Sequence, residues 1–536
     1  MLEKEADGIH QRFVPDIPPG TLYNFRVGDH ILIDPYALAI DRPYGAGLPR
    51  CIVTELPPPV ARESPHFTPG GLIYELNVRA FTMRHPDIPE AQRGTIAALA
   101  HPAIIAHLRK LKVAAVELMP IVAWIDERHL PPLGLVNSWG YNPVSFMAID
   151  PRLGTLGDLR ATAAALHAAG IGVILDLVFN HSGESDIHGQ TLSFRGLAER
   201  DYYRHAHDGS LINDTGCGNT IACDHPMMRR MILDSLRHFV AQAGIDGFRF
   251  DLAPILGRTA HGFDPDAALF REIAADPLLS DRILIAEPWD IGPGGYQLGN
   301  FPSNWLEWND RYRDDMRRFW RGDRGMIGDF ATRLAGSSDI FGGAPATRTV
   351  NFLAAHDGFT LADLVAHEHK HNFANGEQNR DGHDDNISWN NGAEGVTDDP
   401  AIRAARRRDL KVLLATLFAS RGTIMLTAGD EFGRTQQGNN NAYCQDNAIT
   451  WLDWAGRDTE LEDHVAELAK FRAANGLDDP SFLTDADVQW LTDDRVPFTE
   501  ADWQDIERNT IAIHLGPVRI RFDRVSRSVT VTEIKT

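Results

Sequence analysis

Eight short apolar runs recur along the chain, and the stretches that separate them carry apolar residues at helical spacing. The runs are 72–78 (LIYELNV), 113–121 (VAAVELMPI), 171–179 (IGVILDLVF), 245–252 (IDGFRFDL), 282–289 (RILIAEPW), 304–309 (NWLEWN), 349–356 (TVNFLAAH) and 422–429 (GTIMLTAG). Stretches 96–111, 156–169, 227–243 and 404–419 read as amphipathic helices between them. Continuously apolar strands that alternate with helices belong to a parallel sheet covered on its outer side. Eight such units predict an α/β fold of the (β/α)8 TIM barrel class.

The rest of the 536 residues is placed around that barrel. Residues 1–69 lack helical periodicity and are rich in proline, which predicts a reduced N-terminal β segment and linker. The barrel is expected over 70–456, with a long loop after the third strand, 181–224, rich in Gly, Asp and His. Excursions of that length at a barrel's top are usually functional. Residues 457–536 read as a helix and a small C-terminal β domain with runs 510–515, 518–522 and 528–534.

A formal charge of −22 lacks the basic footprint that nucleic acid or an anionic membrane needs, so neither partner is expected. The N-terminus carries no apolar secretion signal and no run reaches membrane-spanning length, which with four dispersed cysteines and no CxxC predicts a cytoplasmic protein with free thiols. Cys217 and Cys223 form one loose pair and are also read as thiols.

The strand ends carry the chemistry. Along Gly247-Phe-Arg-Phe-Asp-Leu-Ala253, alternation puts Arg249 and Asp251 on one face and Phe248 and Phe250 on the other. The phenylalanines suit packing under outer helices, whereas an arginine and a carboxylate facing a barrel's interior have no packing role. A structural salt bridge explains this stretch equally well if it is taken alone. Three further strands, however, end in the same kind of residue: Asp176 and Asn180, which share a face, followed by His181; Glu287-Pro-Trp289; and His356-Asp357. Three carboxylates, Asp251, Glu287 and Asp357, therefore converge. Carboxylates of different protonation state are what glycosidic cleavage requires, one to attack and one to protonate the leaving oxygen. Arg249 would keep Asp251 ionised, and Glu287, beside Pro288 and Trp289, would have its pKa raised.

These residues resemble the four short regions of the α-amylase superfamily, glycoside hydrolase family thirteen: DLVFNH at 176–181, GFRFDLA at 247–253, the Glu287 region and AHDG at 355–358. The resemblance implies Asp251 as nucleophile, Glu287 as acid/base and Asp357 as the carboxylate that grips sugar hydroxyls. It implies that Arg249, His181 and His356 line the same subsite and that Tyr141, in WGYNP, stacks on the sugar. With Asp176, Trp139 and Trp289 these complete the expected substrate-binding set. It further implies retention of configuration, with carboxyls about 5–5.5 Å apart. Segments 300–310 (NFPSNWLEWND), 369–382 (HKHNFANGEQNRDG) and 429–441 (GDEFGRTQQGNNN) are similar to the bacterial glycogen debranching enzymes of isoamylase type. The implied reaction is hydrolysis of α-1,6 branch points in glycogen or limit dextrin, so the expected partner is a branched α-glucan or malto-oligosaccharide. The alternatives are an α-1,4-acting amylase or α-glucan transferase on the same barrel, and a non-catalytic carbohydrate-binding scaffold, against which the intact carboxylates argue. That subgroup usually begins with a complete β-sandwich. Here only YNFRV at 23–27 and LIDPYA at 32–37 resemble its last strands, and a sandwich needs about 100 residues.

Other signals have plainer readings. His367, His369 and His371 are taken as polar loop residues and not as a metal tract, and Asp381, Asp384 and Asp385 lack the spacing of a standard calcium loop. No cofactor is expected and no metal ligand is assigned; calcium stays open, without a motif that supports it. Trp124, Trp289, Trp308 and Trp389 are individually better explained by core packing, while Trp139 and Trp305 are the better candidates for sugar platforms. Arg406, Arg407 and Arg408 read as a solvated helix face.

Overall fold

A computed structural model of the chain, which describes residues 3–4, 10–42 and 48–533, closes the eight runs into one barrel. Its strands are β1 Leu72–Leu76, β2 Val113–Leu118, β3 Gly172–Leu177, β4 Gly247–Phe250, β5 Ile283–Ala286, β6 Trp305–Asn309, β7 Thr349–Asn351 and β8 Thr423–Thr427. Each pairs in parallel with its sequence neighbours, and β8 closes on β1. The strands are shorter than the apolar runs that predict them. The residues past each strand end turn away into loops, and most of the chemistry-bearing side chains lie there.

Alternation sorts the side chains exactly as a closed barrel demands. Ile73, Ala115, Ile174, Ile285, Leu306, Val350 and Met425 point inward and fill the middle of the barrel, with Phe67 packed against them. Two residues further along their strands, Glu75, Glu117, Asp176 and Trp308 share that inward face, as does Arg249 on β4. The top layer of the interior is thus polar. Gly247 begins β4 because a Cβ there would stand 2.5 Å from the carbonyl oxygen of Ile283.

The outward residues, Tyr74, Val116, Leu175, Phe248, Phe250 and Leu284 among them, form the main core with the surrounding helices. Helix Leu156–Ala168 starts at a capping box made by Thr155 and Asp158, and helix Pro400–Ala419 starts at Asp399 with proline in its first turn. The stretch 96–111 is not one helix. Pro102 cannot continue a preceding turn, so a 3-10 segment, Ile96–Ala100, gives way at His101 to a separate helix, Pro102–Lys110.

Residues Leu22–Tyr23, Ile40–Asp41 and Arg50–Ile52 form a three-stranded sheet, beside a hairpin of Phe25–Val27 and His30–Leu32. Ile33, Ala37, Ile40 and Cys51 of this part pack on Ala123, Val144, Ala148 and Leu192, which belong to the long loops after β2 and β3. The expected run 528–534 is the last strand, Ser528–Glu533, of a four-stranded antiparallel sheet; Ile534 lies outside the described residues. Among the described residues no helix is long and apolar enough to cross a membrane, and the four cysteines are free.

Two expectations need correction. Trp305 is no sugar platform: it points outward from β6 into the main core, against Phe250, Phe270 and Phe301. Arg406 is not solvated. Its guanidinium is half-buried and donates to the carbonyls of Ala366, Asn390, Ala393 and Gly395, fastening the loop before the helix.

Candidate active site

Arg249 is the hub of the polar layer. It is fully buried, and its Nη1 lies 2.9 Å from Asp176 Oδ1 and 3.2 Å from Asp251 Oδ1. Its Nη2 is 3.0 Å from Glu287 Oε2, without hydrogen-bond alignment. Below it, the indole of Trp308 lies 4.3 Å from the guanidinium carbon and so supports the cation through its π face. Trp308 is therefore a buried platform for an arginine.

Asp251 and Glu287 are held by their backbones as well. Asp251 follows β4 directly, and its N–H donates to Leu177 O. The next residue, Leu252, has φ +42°, an unusual conformation for a branched side chain. It aims its own N–H at Glu287 Oε2, 2.8 Å away. Strain of this kind persists only where the surroundings enforce it, and it often marks functional sites. Asn180 Nδ2 donates to Asp251 Oδ2 at 2.7 Å, so both oxygens of Asp251 have a fixed partner.

Tyr141 is delivered by the loop after β2. Asn137 Oδ1 accepts from the N–H groups of Trp139 and Gly140, and Gly140, at φ +92°, leaves no room for a Cβ, which would meet Pro120 O at 2.8 Å. The Tyr141 hydroxyl donates to Asp176 Oδ2 at 2.5 Å and its ring stacks on His356 with centroids 4.9 Å apart. Trp139 stands edge-on to the same histidine at 5.0 Å. His356 Nδ1 donates to Glu75 Oε1 at 2.8 Å, and His181 Nε2 to the Tyr141 carbonyl at 2.8 Å. Trp289 is partly buried against the barrel interior two residues past Glu287. Arg249, Asp176, Asp251, Glu287, Tyr141, His181, His356 and Trp139 are thus joined by direct contacts, while Asp357 is the residue after His356 and Trp289 packs on the barrel interior.

The electrostatics separate the carboxyls. Burial lifts Glu287 to about 8, with Asp251 and Asp357 adding to burial and Arg249 opposing it. Burial likewise raises Asp176 to about 6 against the pull of Arg249. Burial acts on Asp357 in the same sense, yet His356, Arg313, His383 and Arg249 together hold it below the usual carboxylate range. His356 rises to about 9, because Glu75 outweighs the burial that would lower it.

Glu75 and Glu117 belong to this layer and were not among the expected site residues. The signal was present, since each is the single carboxylate in an otherwise apolar strand run. Glu117 is buried with no hydrogen-bond partner on either oxygen, and burial, with Asp176 and Glu75 nearby, pushes its carboxyl far above the usual range. Burial thus favours its neutral form.

The loop after β7 also carries more than its sequence announced. Residues 372–386 are tied to 439–445 by a lattice of amides. Asn372 Nδ2 donates to Asn440 Oδ1, Asn439 Nδ2 to Asn375 Oδ1, and Asn440 Nδ2 to Asn386 Oδ1, each within 2.9 Å. Asp381 accepts from Asn375 and Asn441, while Asp384 pairs with Lys370 and Asp385 caps the turn at Ile387, so these aspartates serve separate contacts. His371 pairs with Glu394. Among the described residues, the one group that brings three histidine, cysteine or carboxylate ligand atoms within 4.8 Å is Glu63, His66 and His167, where His66 and His167 bond Asp246 before β4, at the opposite end of the barrel from this site.

The chain is similar to known proteins over most of its length. Residues 103–220 match the family described as Alpha amylase, catalytic domain. The chain is 45% identical over 549 residues to a glycogen debranching enzyme of Serratia proteamaculans, covering 94% of this chain and 83% of that protein. A glycogen debranching enzyme of Klebsiella pneumoniae is 48% identical over 458 residues, or 82% of this chain and 69% of the other. Among solved structures, a pullulanase from Anoxybacillus complexed with maltotetraose shares the fold, with a TM-score of 0.74 at 23% identity over 99% of this chain and 79% of that one.

Proposed function

The chain belongs to the glycogen debranching enzymes of the α-amylase family, and on that footing we propose that it hydrolyses α-1,6 branch points of glycogen-type or limit-dextrin α-glucans with retention of configuration. The observation that carries this reading is the sharing of one guanidinium by Asp251 and Glu287, with Glu287 raised to about 8 and so protonated at neutral pH. A pair of neighbouring carboxyls, one ionised and one neutral, is the apparatus of a retaining glycosidase.

In this reading the carboxylate of Asp251 attacks the anomeric carbon while Glu287 gives its proton to the departing glycosidic oxygen. The C–O bond to the leaving chain breaks, and a glycosyl ester on Asp251 forms. Glu287, now ionised, takes a proton from water, whose oxygen attacks the same carbon and releases the branch and Asp251. Arg249 and Asn180 fix the attacking carboxylate. Tyr141 offers its ring face to the sugar, and Asp357 and His356 bond its hydroxyls, interactions that count most as charge develops on the ring, while His181, whose two ring nitrogens meet Asn180 and the Tyr141 carbonyl, holds that loop in place. Asp176 and Trp139 hold Tyr141 and His356 in place, and Trp289 flanks the acid. Four free thiols fit a reducing, cytoplasmic compartment.

The test is product analysis on a phosphorylase-limit dextrin, a linear maltooligosaccharide and pullulan. Release of short linear chains from the branched substrate with the linear one untouched is the expected result. Cleavage or rearrangement of the linear substrate would move the enzyme to the amylase or transferase class.

A further inference from the structure

Glu63, His66 and His167, at the end of the barrel opposite the carboxylates, have no part in the hydrolysis. One ligand atom from each lies within 4.8 Å of the others. Two imidazoles and a carboxylate, with water in a fourth position, are a ligand set for Zn²⁺ and metals like it. Ca²⁺ and Mg²⁺ prefer oxygen ligands, so a pair of imidazoles selects against them. Glu63 and His66 stand three residues apart, but His167 is about a hundred residues further on, so only the fold brings the three together.

The surroundings prepare these ligands. Asp246 is buried, and its Oδ2 accepts from His167 Nε2 and from the Val173 N–H, each at 2.7 Å. Its Oδ1 accepts from the backbone N–H of His66, also at 2.7 Å. A carboxylate behind an imidazole fixes the tautomer and raises the basicity of the ring, the arrangement usual for a metal-bound histidine, and it leaves Nδ1 with a free lone pair. His66 Nε2 is 3.4 Å from Glu63 Oε2. The two imidazoles are stacked, with centroids 4.2 Å apart and planes 20° from parallel, so their lone pairs run side by side. His66 and Glu63 are exposed, and the Cβ–Cγ torsion of histidine has broad wells, so a turn of the His66 ring at little cost aims its nitrogen at a point shared with the other two.

The ligands come from two parts of the chain. Glu63 and His66 belong to the linker before β1, and His167 to the last turn of helix Leu156–Ala168. The linker is already tied down around them: Val60 N–H donates to Ala241 O, and Arg282 Nη2 donates to Glu63 O. Phe67, next to His66, packs against the inward residues of the barrel. We propose that Glu63, His66 and His167 bind one divalent cation of the zinc class, which pins the linker, and with it Phe67, to the base of the barrel. The free energy of such a bond adds to that of folding. The metal is a staple with no part in turnover.

The experiment titrates untagged, chelator-treated full-length protein with ZnCl₂ by calorimetry and follows the melting temperature at each concentration. His66→Ala and Glu63→Gln are compared with the wild type; both positions are exposed, so the fold tolerates either change. The wild type is expected to take up one equivalent of Zn²⁺ that each variant binds about 10-fold or more weakly. Its melting temperature should rise with Zn²⁺ concentration, and that rise should be lost in both variants. CaCl₂ in place of ZnCl₂ should leave wild type and variants alike. The variants' circular dichroism spectra without metal should match that of the wild type. Zn²⁺ held by other histidines would persist in the variants, so the difference between proteins isolates this site. A wild type that takes up no Zn²⁺, or equal stoichiometry and affinity in all three proteins, overturns the proposal and leaves a stacked pair of histidines.

Discussion

Arg249 and Asp176 stand directly opposite one another on adjacent parallel strands, and their side chains meet at 2.9 Å with both out of solvent. An arginine buried in a barrel interior is costly unless its charge is matched, and here Asp176 and Asp251 reach the same fork, with the carboxyl of Glu287 beside it. The guanidinium is thus the structural reason why three carboxyls from three strands can be brought to one point.

Replacing Arg249 therefore has two separable effects. Arg249→Met leaves the carboxylates without their counter-charge and should cost about 3–5 kcal/mol of stability, read by denaturant unfolding. Arg249→Lys keeps the charge but not the planar fork, and should recover much of the stability while kcat/KM stays about 10²-fold or more below normal. A lysine variant with undiminished turnover would remove Arg249 from the positioning of Asp251 and Glu287.

The Glu75–His356 pair predicts a pH dependence. His356 is raised to about 9 in the folded protein, above its value of about 6.5 in an unfolded chain. The stability it contributes is therefore fully present below about pH 6.5 and is lost as pH rises through about 9. Glu75→Gln removes the partner that holds the proton. The melting temperature of the wild type should fall more steeply between pH 6.5 and 9.5 than that of the variant, and parallel curves would refute the assignment.

Glu117 should behave unlike its neighbour Asp176, although both are buried carboxyls at strand ends. Glu117 has no hydrogen-bond partner and burial favours its neutral form, so Glu117→Gln is expected to exchange one uncharged polar group for another of the same shape. Turnover should stay within about threefold of wild type. Asp176→Asn instead takes a charge from Arg249 and an acceptor from Tyr141, and should cost about 10²-fold or more in kcat. Equal losses in the two variants would mean that Glu117 carries a charge.

The contrast between these residues also marks what could be read from sequence. Alternation alone put Arg249 and Asp251 on one face and Phe248 and Phe250 on the other, and eight apolar runs sufficed for the barrel. Glu75 and Glu117 were legible in the same way, as single carboxylates at inward positions. Trp305 and Trp308 were legible only in part: three positions apart on one strand, they must face opposite sides, but alternation does not say which packs outside and which supports an arginine. The asparagine lattice from Asn372 to Asn441 depends on contacts between segments far apart in the chain. No local pattern encodes such contacts.

Glu287 carries the sharpest consequence of the site's electrostatics. Its carboxyl is lifted to about 8 by burial, so between about pH 4.5 and 8 the folded protein keeps a proton that the unfolded chain gives up. Since the unfolded state binds fewer protons, stability declines as pH rises across that window and levels off above it. In the proposed reading the protein thus bears a stability cost at neutral pH for keeping a protonated carboxyl beside Arg249 and Leu252. Glu287→Gln removes the titration while leaving the volume nearly unchanged. Its turnover should fall by about 10³-fold or more, as expected when a general acid is lost, with an unaltered circular dichroism spectrum. Its melting temperature should exceed that of the wild type at pH 8 by more than at pH 5.5. A gap that stays constant or narrows with rising pH would mean that Glu287 is ionised in the resting enzyme, and the role of acid would then have to pass to another group.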